Sequence, residues 1–371
     1  MKVTIERGTL LKALSHVQSV VERRNTIPIL SNVLLQAQGG TLALTATDLD
    51  IEIAEQVPAD AEMSGAATAA AVTLFDIVKK LPDGSQVALE KTSNGRLQLT
   101  AGQSEFSLAI LPEEDFPSLP AADDGQSFSM PSADLARLID KARFAMSQEE
   151  TRYYLNGIYF HAQEADGEGS LRAVATDGHR LARLDAPIPQ GAEGMAGVIV
   201  PRKAVLELRR LLDDAGSDVN ILVSSGRMRF QFDDITLTTK LIDGTFPDYA
   251  RVIPEGNDKI MRVSPTDFAK SVDRVSTVSA DKTRSVKLMI DSDRLQLNVN
   301  SPETGTATED LSVDFPGEAI EIGFNAKYLL DITAQIDGET VTFAFGDTAS
   351  PTVITDDEDP AALYVLMPLR V

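Results

Sequence analysis

AVATDGHRLARLDA, residues 173–186, places Asp177 two positions before His179, with Gly178 between them and Arg180 alongside. An acid and an imidazole so close raise the question of a catalytic pair. The answer comes from residues 44–57, LTATDLDIEIAEQV, where Ala-Thr-Asp again precedes an alternating stretch that reads as a strand. There Asp48 is followed by Leu49-Asp50-Ile51 instead of Gly-His-Arg. A degenerate third copy is VNSPETGTATEDLSV, 299–313. The Thr-Asp turn is therefore a repeated scaffold element, and His179 and Arg180 decorate its second copy alone. No G-x-S-x-G, H-E-x-x-H or Walker loop occurs to supply a nucleophile, a zinc site or a phosphate cradle.

Other segments repeat in the same order. FSLAILPEEDFPSLP (106–120) parallels TLTTKLIDGTFPDYARVIP (236–254), and YVLMPLRV (364–371) is the third copy. Phe-Pro after a strand forces an extended exit, as a domain boundary would. The helical segments LLKALSHV (10–17), LARLIDKA (135–142) and FAKSVDRV (268–275) align residue for residue. Their first, fifth and eighth places are apolar, which is helical spacing. Second helices are expected near 73–81, 202–212 and 325–336, with Thr73 and Asn325 as N-caps and Pro201 and Pro265 at helix starts. The remainder reads as short strands split by Gly, Asp and Asn turns. The reading is an α+β chain of three repeated domains, 1–121, 128–253 and 254–371, each with two helices packed on antiparallel sheets.

Composition narrows the function. The chain of 371 residues has no cysteine, three histidines and a formal charge of −22. Zinc chemistry and disulfides are disfavoured, no metal or other cofactor is expected, and the absence of thiols fits a reducing cytoplasm. The opening MKVTIERG lacks an apolar run, so neither signal peptide nor anchor is expected, and no segment approaches a membrane span. Net acidity argues against polyanions, yet the charge is segregated. The six helical segments carry 15 basic and 8 acidic residues, against 19 and 48 in the rest. The third helix place holds Lys12, Arg137 and Lys270, and the seventh holds His16, Lys141 and Arg274. Places i and i+4 share a face, here read as standing opposite the apolar stripe. Such a face suits weak, salt-sensitive and sequence-independent contact with phosphates.

TIPILSNVLL (26–35), TRYYLNGIYF (151–160), ATDGHRLA (175–182), VPRKAVLEL (200–208), GTFPDYARVIP (244–254) and YVLMPLR (364–370) follow one another along the chain. In that order, from Met1 to Val371, they resemble the bacterial DNA polymerase III beta subunits, the sliding clamps. The resemblance implies a head-to-tail homodimer, a ring of six domains with helices inside and sheet outside, that encircles and slides on duplex DNA. It implies a non-catalytic processivity factor of the bacterial cytoplasm. Its partners would be the replicative polymerase alpha subunit, the clamp loader, and other polymerases and repair proteins.

Carried over by position, the resemblance makes Arg24, Tyr153 and Tyr154 DNA contacts, beside the basic helix positions. It places a cleft for short apolar peptides at Leu155, Thr176, Gly178, His179, Arg180, Leu181, Pro247, Arg251 and Val252. The C-terminal Val365, Met367, Pro368, Leu369 and Arg370 would complete it, with Gly178 and Arg180 orienting the peptide through backbone and guanidinium. Phe106 and Leu108 would meet Thr277 and Val278 of a second copy. The chain departs from the family pattern at Val72 (often basic), at Glu149 (usually glutamine), and at Leu369 and Ala349 (usually methionine and a bulkier aliphatic). Two other readings stand beside this one: an acidic β-rich scaffold that binds only proteins, and a hydrolase using Asp177 and His179.

Overall fold

The computed structural model describes residues 1–22, 26–120, 124–165, 168–279 and 285–370. Among them are six α-helices: α1 Arg7–Val17, α2 Ala71–Lys80, α3 Ser132–Arg143, α4 Arg202–Leu212, α5 Pro265–Ser276 and α6 Ala326–Thr333. The apolar places of the three aligned helices are buried as their spacing requires. Leu10, Leu14 and Val17, Leu135, Ile139 and Ala142, and Phe268, Val272 and Val275 are each no more than 2% exposed. Asn325 caps α6 by accepting the Lys327 N–H at 2.9 Å, and Pro265 opens α5 behind a Ser264 cap. Thr73 is not a cap. The strand Gly65–Ala70 runs straight into α2, so that helix begins at Ala71 without a side-chain cap.

Contacts divide the chain into two compact units, 1–136 with 189–192 and 203–241, and 137–188 with 193–202 and 242–371. The second repeat is therefore shared between them. In the first unit a five-stranded sheet ends at Ser104–Ala109, which among the described residues pairs only with Arg96–Ala101. An eight-stranded sheet beside it joins two repeats: Ile51–Pro58 lies antiparallel to Ile235–Lys240, with Ile53 opposite Leu237. The second unit follows the same plan. Arg180–Pro187 lies antiparallel to Asp359–Leu366 in an eight-stranded sheet, with Ala182 opposite Tyr364. Its four-stranded sheet ends at Gly305–Ser312, which among the described residues pairs only with Arg294–Ser301. No helix among the described residues is long and apolar enough to cross a membrane.

The repeated turn is the same structure twice. Asp48 Oδ1 accepts the Asp50 and Ile51 N–H groups at 2.9 and 2.8 Å, and Thr47 Oγ1 donates to the Ile51 carbonyl at 2.9 Å. Asp177 Oδ1 likewise accepts from His179 and Arg180 at 2.9 and 3.1 Å, and Thr176 Oγ1 donates to the Arg180 carbonyl at 2.7 Å. The residue after the aspartate must turn left-handed. Gly178 does so at φ 88°, but the first copy asks it of Leu49 at φ 80°. A side chain there costs about 1 kcal/mol. Leu49→Gly should accordingly raise the thermal midpoint by a few degrees in calorimetry.

The seventh place of α1 is not on an exposed face. His16 is 3% exposed, with Nδ1 2.7 Å from Glu55 Oε2 and Nε2 3.0 Å from Asp214 Oδ2. Burial alone would lower its pKa, but the two carboxylates outweigh burial and raise it. The fold thus holds this proton more tightly than the unfolded chain does. Its stabilisation is complete below the ordinary imidazole value, about 6.5, and is lost as the pH rises through the raised folded value. Above that ordinary value the midpoint of the unaltered protein should fall more steeply with pH than that of His16→Gln, measured by parallel thermal melts.

Candidate functional site

Two features meet at the second Thr-Asp turn: a polar frame and an apolar floor. Asp177 spends its carboxylate on two backbone N–H groups and on Arg180 Nε at 3.1 Å. That use is structural, and it leaves the Asp-Gly-His spacing without catalytic meaning. Arg180 is only 8% exposed. Its Nη1 donates to Asp331 Oδ2 at 2.6 Å and its Nη2 to the Phe144 carbonyl at 2.7 Å. The guanidinium also lies 5.1 Å from the Phe144 ring centroid and 4.3 Å from that of Tyr328. The guanidinium has three partners within the protein, although Arg180 also lines the cleft described below. It is spent inside the protein, where it ties the turn to α6 and to the segment after α3.

The floor comes from alternation in the strands. Leu155, Val174, Leu181, Phe246 and Val365 form one buried cluster, with Tyr154, Tyr249 and Ile253 packed against it. Above it opens a cleft of about 300 Å³. Ten of the residues expected from the sequence line it: Leu155, Thr176, Gly178, His179, Arg180, Leu181, Pro247, Val252, Val365 and Met367. Four do not. Arg251 points to solvent and pairs with Asp248 at 2.8 Å. Leu369 donates its N–H to the Gly323 carbonyl at 2.8 Å, so the tail runs on past the cleft with Pro368 and Arg370. Ala349, one of the positions that depart from the family pattern and not one of these four, sits in an exposed Asp347 turn.

Sequence reasoning missed Arg152, Asp248 and Tyr249 as lining residues and assigned Tyr154 only to DNA, although it too lines the cleft. Arg152 pairs with Glu149, the residue at the family's glutamine position, at 2.8 Å. A Cβ placed at Gly178 would come 2.4 Å from Arg152 Nη1. Glycine is favoured at this position by its φ, while the Arg152 guanidinium, the end of a flexible side chain, could move aside for a Cβ. Tyr249 lay within the quoted GTFPDYARVIP stretch and was the most legible of the missed residues. An aromatic three places after a Phe-Pro exit was the available signal.

The basic helix positions separate in the structure. Lys12 is exposed and 3.6 Å from Asp214, and Lys270 is exposed. Arg137 pairs with Asp359, and Arg274 with Glu309. Lys141 is 7% exposed, bonded to Asp337 at 2.6 Å and 3.6 Å from Asp359. Like His16, it departs from the single exposed face read from the sequence. The seventh place lies on the flank of the apolar stripe, where neighbouring strands and loops bring carboxylates close to it. Tyr153 is 53% exposed and meets Tyr154 edge to face. Arg24 lies outside the described residues. Phe106 and Leu108 are half-buried on the edge strand Ser104–Ala109, with Thr277 exposed and Val278 half-buried after α5.

With this geometry in hand, comparison with known proteins is decisive. Residues 1–120, 129–248 and 250–370 match, in order, the N-terminal, central and C-terminal domains of the DNA polymerase III beta subunit. The chain belongs to the DNA polymerase III beta subunit family. It is 54% identical to the beta sliding clamp of Caulobacter vibrioides over 372 residues, and 40% identical to that of Escherichia coli K12 over 375, covering all of each. Among solved structures, a Caulobacter crescentus beta sliding clamp matches at TM-score 0.97 and 55% identity, covering 100% of this chain and 99% of the other. A Bartonella birtlesii sliding clamp solved bound to griselimycin matches at TM-score 0.98 and 47% identity, with full coverage of both. Beta subunits of this family are non-catalytic, so the hydrolase reading falls with the turn geometry.

Proposed function

We propose that this beta subunit acts as the sliding clamp of DNA polymerase III, two copies closing head to tail around duplex DNA. One observation carries the closure. In the first unit Ile51–Pro58 pairs with the exit strand of the following repeat, and in the second unit Arg180–Pro187 does the same. The third member of that series, Gly305–Ser312, has one open edge, and so has the first repeat's exit strand, Ser104–Ala109. Two bare edges of matching origin, one at each end of the series, are what a second copy would satisfy. Phe106 and Leu108 would face that partner, with Thr277 and Val278 near the opposing edge.

Within this reading the DNA contact is weak by design. Lys12 and Lys270 are exposed, Arg137 and Arg274 are already shared with carboxylates, and Arg24, Tyr153 and Tyr154 would add contacts near the loops. Retention then rests on topology, not on contact energy. The cleft over Leu155, Leu181 and Val365 would seat apolar peptide anchors of the polymerase alpha subunit, the clamp loader and repair proteins. Met367 adapts to differing anchors. We place griselimycin in the same cleft, and the cytoplasm as the compartment.

The test is loading onto nicked circular DNA with the clamp loader and ATP, followed by a single cut. A ring stays on the closed circle in moderate salt and leaves the linear ends. Equal loss from both forms would instead favour the acidic scaffold reading.

A further inference from the structure

Behind the cleft, on the strands that support it, lies a row of polar side chains that the docking reading does not use. His161, Arg172 and Asp185 are direct cross-strand neighbours on three adjacent strands. Asp185 holds Arg172 in a fork, Nε to Oδ1 at 2.7 Å and Nη2 to Oδ2 at 3.1 Å, and also accepts Ser170 Oγ at 2.9 Å. Arg172 Nη1 then reaches the Tyr249 hydroxyl at 3.2 Å, and His161 Nε2 lies 2.9 Å from the same oxygen.

The protons in this row are determined by its partners. His161 Nδ1 is 2.9 Å from the Ala162 carbonyl, which can only accept, so Nδ1 carries the hydrogen. Burial holds the His161 pKa below its ordinary value, aided by Arg172. In the neutral ring Nε2 is therefore an acceptor. Tyr249 must donate its O–H to His161 while its oxygen accepts from Arg172. Both directions of the hydroxyl are fixed, and with them the swing of the ring. That ring lines the cleft, and it meets Phe246 edge to face, which in turn stacks on Tyr159 with centroids 4.8 Å apart.

We propose that His161 and Arg172, neither of which lines the cleft, are positioning residues that set its width by fixing Tyr249 through its hydroxyl. This deepens the docking reading and rests on it. An unheld tyrosine on a short surface turn would sample several rotamers, and a ligand would have to select one.

The experiment uses the full chain and griselimycin as the probe, by isothermal titration calorimetry, with a thermal melt of each variant. Tyr249→Phe keeps the ring and removes the bond, and should weaken binding about three- to ten-fold. His161→Leu should do the same, and the double variant should be no weaker than either single one. His161→Gln, whose amide oxygen can still accept from the tyrosine, should recover most of the loss. Variants that all bind within about two-fold of the unaltered protein, against that expectation, would overturn the positioning role alone. So would effects that add in the double variant, or losses that track the thermal midpoint with no recovery by glutamine. If the unaltered protein takes up no griselimycin, it is the cleft reading that fails, and the proposal with it.

Discussion

Phe106→Asp combined with Leu108→Asp should turn the protein into a monomer at micromolar concentration while each chain still melts cooperatively. The two side chains project from one face of Ser104–Ala109 and are only half-buried in a single copy. Their loss therefore costs the lone chain little. Burying the exposed half of two such side chains at a contact contributes about 1.5–3 kcal/mol, and two carboxylates in their place add a desolvation cost of similar size. Each interface should weaken by roughly two to four orders of magnitude. A closed ring contains the contact twice, so the loss is felt twice. Sedimentation velocity reads the change directly. The double variant should also leave no protein on a nicked circle after loading. A dimer that survived at micromolar concentration would mean that the bare strand edge is not the seam.

The second large effect is expected at Arg180. Arg180→Ala removes one guanidinium that serves Asp177, Asp331 and the Phe144 carbonyl at once. The carboxylates of Asp177 and Asp331 keep 16% and 30% of their side-chain exposure, so water only partly replaces the lost partner. Breaking a buried pair from one side costs about 3–5 kcal/mol, and the partial exposure places this case near 3. For units of this size, that lowers the midpoint by roughly 6–12 °C. Griselimycin binding should fall further than stability does, because the Thr-Asp turn and α6 lose their common tie at the cleft wall. Arg180→Lys keeps the charge but not the fork, and it should recover stability without restoring binding in full. Calorimetric melts together with titrations would separate the two effects.

These expectations show where the sequence was informative. Local spacing sufficed for the helices, because burial at the first, fifth and eighth places follows from 3.6-residue geometry alone. The repeated Thr-Asp turn was equally legible, since its hydrogen bonds lie within four residues of one another. What failed was whatever depends on distant chain. His16 and Lys141 look like surface cations beside Lys12 and Arg137, yet Glu55, Asp214, Asp337 and Asp359 come in from elsewhere and cover them. Thr73 has the chemistry of a cap, but the preceding strand had already set the first turn. The cleft was legible because its floor is built from strand alternation around quoted motifs. Arg152, Asp248 and Tyr249 lay inside quoted motifs as well, but they reach the cleft from loop and turn positions whose side-chain direction follows no periodicity.

The middle repeat gives one long strand to each of its neighbours. Its strand Ile235–Lys240 is laced to one neighbour and its strand Arg180–Pro187 to the other, and contact density assigns its halves to different units. Cut out as a fragment, it would present two long naked borders to other chains and would be prone to stick to them. The length that evolution duplicated is thus not the length that stands alone. Anyone trimming, splitting or grafting this chain should cut by its ladders, not by its repeats.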